Sequence, residues 1–79
     1  MTKIEILTAA AAQRETEVLH HQININNYLL ALSEIEAHHA DVAHMQAFAS
    51  QIRGLLQSSI EERDKEALML TVLKSQLEA

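Results

Sequence analysis

The stretch that decides the fold is residues 18–35, VLHHQININNYLLALSEI. Val18, His21, Ile25, Tyr28, Leu32 and Ile35 recur in it at alternating spacings of three and four. That period puts all six on one side of an α-helix, whereas a strand would alternate every second residue. Leu19, Ile23 and Leu30 fall on the far side of the same helix. A helix that is apolar on two sides is buried on two sides. The stretch therefore predicts a helix with more than one neighbour.

Toward the N-terminus the same spacing continues through Arg14, Ala11, Leu7 and Ile4. One heptad column is then Ile4, Ala11, Val18, Ile25 and Leu32, and the other is Leu7, Arg14, His21, Tyr28 and Ile35. Thr2 followed by Glu5 has the spacing of a capping box. The first helix is expected over about residues 3–37. His38, His39, Ala40 and Asp41 follow, and Asp41 is a good N-cap for a second helix over about 41–78. That helix has its own unbroken seam: Val42, Met45, Ala49, Ile52, Leu56, Ser59, Arg63, Glu66, Leu70, Leu73 and Leu77. Only Ser59, Arg63 and Glu66 interrupt its apolar character.

Two polar blocks argue that the helices fold back on one another. One spans residues 13–22, the other 57–66. A reversal near residues 39–40 sets them side by side, with Gln13 opposite Glu66 and Gln22 opposite Gln57. Arg14 comes level with Lys65 and Glu66, and Glu17 lies within a turn of Arg63. Arg14, Glu17, His21, Ser59, Arg63 and Glu66 would form a polar layer that costs stability and fixes register. A three-helix alternative breaks the second helix near Ser58, because Ser58 with Glu61 and Ser59 with Glu62 also have capping-box spacing. The seam crosses that point in phase, with no glycine or proline there.

Composition agrees with an all-α single domain over 1–79. Proline and cysteine are absent, and Gly54 is the only glycine. Disulfides and thiolate metal sites are thereby excluded. The only aromatic residues are Tyr28 and Phe48, so aliphatic seams must carry the packing. Six Lys and Arg against eleven Asp and Glu give a net charge of −5. The cations are scattered, which argues against phosphate binding. The charge-free stretch 18–33 holds two His, three Asn and a Gln, so no membrane span is expected. Glu5 stands where a secretory signal would be apolar, and a cytoplasmic location is the expectation.

A lone hairpin covers only one of the first helix's two apolar sides. Its outer stripe is Ala9, Ala12, Leu19, Ile23 and Leu30, and the charge-poor stretches 18–33 and 42–52 lie near the turn. Soluble monomers rarely expose a large apolar patch. A two-fold dimer forming a four-helix bundle is the simplest way to cover it. The expected interface residues are Ile23, Ile25, Tyr28, Leu29, Leu30, Leu32, Ile35, Phe48, Ile52 and Leu55, in the turn-proximal half. Asn24, Asn26 and Asn27, weak helix formers beside Tyr28, form either a wet face or part of a recognition patch.

Chemistry is sparse. Glu17 with His20, and Glu36 with His39, have the i, i+3 spacing of metal-binding bundles, and Glu34 with His38 the i, i+4 spacing. The first two pairs lie ~28 Å apart along one helix. His38, His39 and His44 cluster at the expected turn, either as solvated polar residues or as a pH-sensitive tip. No nucleophile or glycine-rich phosphate loop is present. No cofactor and no catalytic residue is expected.

In shape the hairpin resembles the small helical-hairpin dimers typified by the Rop RNA-binding family. The resemblance covers most of the chain as architecture and carries over no residue, and fold alone does not transfer function. The expectation is a non-enzymatic interaction module acting as a homodimer on a protein partner. The alternatives are a nucleic-acid-associated hairpin-dimer regulator, using Arg14, Arg53, Arg63, Lys65 and Lys74, and a metal-binding helical bundle.

Overall fold

The computed structural model describes residues 2–39 and 43–78, side chains at 38, 39, 43 and 44 excepted. Helix α1 spans Lys3–His39 and helix α2 spans Ala43–Glu78, and the two pack against each other as a hairpin. The expected reversal with its Asp41 cap, the seam position Val42 and the histidine side chains at 38, 39 and 44 lie outside the described residues. Helix α1 ends two residues beyond the expected 37, and α2 begins two after the expected 41.

Thr2 caps α1 as its position suggests. Its hydroxyl accepts the Glu5 amide at 3.1 Å, and its carbonyl accepts the Ile6 amide at 3.1 Å. Two otherwise unpartnered donors of the first turn are thereby satisfied. Thr8, Thr16 and Thr71 donate to carbonyls one turn back, so none presents a bare hydroxyl to the helix.

The break near Ser58 does not occur: α2 is continuous through Ser58 and Ser59. The cap signals are overridden because Leu56, Ser59, Ile60 and Arg63 all turn toward α1 and bury there in part. Ending the helix at Ser58 would throw that seam out of phase. Gly54 sits within α2 without positive φ, and nothing lies within 4 Å of where its Cβ would be.

The seams place the side chains as their spacing dictates. Every described member is buried or half-buried, apart from Ile4 in the first turn of α1. Leu32, Ile35, Ala49 and Ile52 form the tightest cluster, with Tyr28, Ala31, Met45 and Leu56 packed around it. Ile25 and Ala11 are buried further along the seam. Each large aliphatic side chain so placed contributes about 1.5–3 kcal/mol of hydrophobic stabilisation.

Two helices make a seam and not an enclosed core. Among the described residues no side chain is fully buried. The hairpin measures 58 × 16 × 14 Å with a radius of gyration of 17.7 Å. A compact chain of this length would have about 12 Å. The exposed surface is 5672 Å², against about 4,800 Å² for a compact monomer of this mass.

Candidate interaction surface

The polar layer lies midway along the seam. Arg14 donates from Nη1 to Glu66 Oε2 at 2.8 Å. The Glu66 side chain is only 13% exposed, so this pair is partly desolvated. Arg63 donates from Nη1 to Gln22 Oε1 at 3.0 Å, and turns Nε and Nη2 onto Asp64 Oδ1 at 3.2 and 3.0 Å. Two arginines thus tie the helices together, one from each side. Glu17, His21 and Ser59 are half-buried along the same stretch.

The bonds across this stretch join Arg14 to Glu66 and Arg63 to Gln22, which differs from the pairing of the facing blocks. Gln13 does not meet Glu66; Arg14 does. Gln22 meets Arg63 in place of Gln57, while Gln57 donates to Glu61 one turn on, at 3.1 Å. Gln13 and Gln57 each lie one position off the seam, and both are exposed. Facing blocks align in length, but only side chains on the seam or on its inner flank reach across: Gln22, one position after His21, does so, while Gln13 and Gln57 lie on outward positions.

The expected interface residues divide into two groups. Ile25, Leu32, Ile35 and Ile52 are 4–9% exposed and belong to the intrachain seam. Tyr28 is half-buried against that cluster. Ile23, Leu29, Leu30, Phe48 and Leu55 are 47–66% exposed and face outward. Asn24, Asn26 and Asn27 are also exposed, with Asn26 Oδ1 accepting from Gln22.

Outward apolar side chains are not confined to the turn-proximal half. Ile4, Ile6, Leu19, Leu68, Met69 and Val72 are exposed in the terminal half. Ala10, Arg14, Leu68, Met69, Val72 and Leu73 line an open recess of about 370 Å³ between the helices there. A seven-residue column on α2, Phe48, Leu55, Glu62 and Met69, leads to it, and Met69 is the one member that lines it. That column borders the seam on one edge of the hairpin, whereas Leu19, Ile23 and Leu30 lie on the back of α1.

Among the described residues, no group of three or more His, Asp or Glu side chains is placed to hold a metal ion. Glu17 is half-buried and His20 exposed. Arg14 and Arg63 are held within the polar layer, and Lys74 pairs with Glu15 at 3.2 Å. No described helix is long and apolar enough to cross a membrane.

The fold defines the class: an all-helical hairpin of two near-equal helices with apolar surface on more than one side. No family model, curated protein or solved structure matches the chain.

Proposed function

We propose that this chain is a non-enzymatic interaction protein. It is a small cytoplasmic regulator, inhibitor or assembly factor that works as a homodimer and presents a helical surface to a protein partner. The observation that carries this reading is the exposed apolar surface. Eleven large apolar side chains stand at least 38% exposed on a hairpin whose described residues enclose no side chain fully. Phe48 and Leu55 are the natural anchors for a partner, since each is half exposed and neither is needed for the seam cluster. An exposed aromatic beside aliphatic residues is a frequent hot-spot arrangement.

The test is affinity capture with the wild-type chain and with Phe48→Asp/Leu55→Asp. Circular dichroism confirms that both are equally helical. A specific protein bound by the wild type and lost by the variant supports the reading. The same proteins retained by both, or none retained by either, contradicts it. A salt-sensitive mobility shift of structured RNA or duplex DNA would favour the nucleic-acid alternative instead.

A further inference from the structure

The back of α1 carries a second three-four series. It runs unbroken from Ala9 to Ala37 through Leu19, Ile23 and Leu30, and every member is exposed. At 100° per residue it lies roughly 150° around the helix from the seam. The inner series is covered by α2. Nothing in the hairpin covers the outer one.

The outer series is self-complementary when reversed. Turned end for end about residue 21, Leu19 faces the partner's Ile23, and Ala12 faces the partner's Leu30. Thr16 faces the partner's Asn26, and Ala9 faces the partner's Ser33. Large side chains meet small or matching ones, as knobs-into-holes packing requires. Thr16 and Asn26 meet each other, and Ser33 and Glu5 meet only the small Ala9 and Ala37. A shift of one heptad either way destroys this, setting the partner's Asn26 against Ile23 or the partner's Glu5 against Leu30. No Asp, Glu, Lys or Arg lies between residues 18 and 33, so the central turns bring no like charges together.

The area agrees. The hairpin exposes roughly 900 Å² more than a compact monomer of its mass. A standard protein interface takes about 800 Å² from each partner. The excess over the whole hairpin is thus comparable to one standard interface per chain.

We propose that a second copy of this chain occupies the back of α1, the two α1 helices running antiparallel about a two-fold axis near residue 21. This rests on the homodimer reading above and says where the copy sits. The helices then run α2, α1, α1, α2 in a shallow arc, and not at the corners of a square bundle. Phe48 and Leu55 on α2 stay free for a different protein.

The chain has no cysteine, so cross-linking tests the register directly. Positions 12 and 30 are ~27 Å apart along one helix, too far for a disulfide within a chain. Ala12→Cys/Leu30→Cys should oxidise to a covalent dimer, with peptides joining position 12 to position 30. Phe48→Cys under the same conditions should not. Cross-links of 12 to 12 and 30 to 30, or faster linkage through position 48, would overturn the proposal. A second arm uses Leu19→Glu/Ile23→Glu, which changes only exposed side chains. It should keep its helicity and lose at least about 100-fold in dimer affinity, because like charges and desolvated carboxylates then meet at the axis. If that variant stays as dimeric as wild type, the second copy sits elsewhere and only this proposal falls. A monomeric wild type removes the homodimer reading as well.

Discussion

Helix α1 carries two stripes of the same period, and their fates differ. Ile25, Leu32 and Ile35 on the inner stripe are 4–9% exposed. Leu19, Ile23 and Leu30 on the outer stripe are 47–66% exposed. The residue types are the same. The difference is that α2 supplies a facing seam for one stripe and nothing for the other. Periodicity thus specifies which side chains seek burial, and topology decides which of them a single chain can satisfy.

Core truncation should separate the stripes most sharply. Ile52→Ala and Ile25→Ala remove side chains 5% and 4% exposed. Each should cost about 2–4 kcal/mol in denaturant unfolding. Leu30→Ala on the outer stripe should change the stability of the isolated hairpin by less than about 0.5 kcal/mol. Its effect should grow with protein concentration, since it acts through assembly. Equal losses at Ile25 and Leu30 at low concentration would break the comparison.

The polar layer comes next. Arg14→Leu leaves Glu66 partly buried without its cation and should cost about 1–2 kcal/mol. Adding Glu66→Leu should recover most of that, because an apolar pair suits the seam. A double variant as unstable as the single one would show that the layer depends on more than this bond. Smaller still is Gly54→Ala, which should stabilise by about 0.5–1 kcal/mol. The site is helical, exposed and empty around the added methyl. At the bottom is Lys74→Ala. Its ion pair with Glu15 joins side chains 53% and 56% exposed, and its loss should shift the unfolding midpoint barely at all.

The hairpin was legible because its signal is angular and redundant. From Leu7 to Ile35 and from Met45 to Leu77, each seam residue turned inward as its spacing required. The polar layer was legible at the level of Arg14 and Glu66. It failed at Gln13 and Gln57, where position along the helix was matched without position around it. The capping signals at Ser58 and Ser59 misled for a related reason. Local hydrogen-bonding preference is worth about 1 kcal/mol, and a continuous seam outweighs it. The interface expectation merged Ile25 with Ile23, and Leu32 with Leu30. Hydrophobicity is the same at those positions, and only the angle distinguishes core from surface. Leu68, Met69 and Val72 carry a weaker sequence signal, because they lie among Lys65, Glu66 and Lys74 and not in a charge-poor stretch.

In the proposed dimer one hairpin is an incomplete fold, finished by another copy on the back of α1. Sedimentation equilibrium of the wild-type chain at micromolar concentration tests it most directly. A species of twice the 8.8 kDa chain mass, reduced to the single-chain mass by Leu19→Glu/Ile23→Glu, is the predicted result. A wild-type chain that sediments at its own single mass across that range would contradict it.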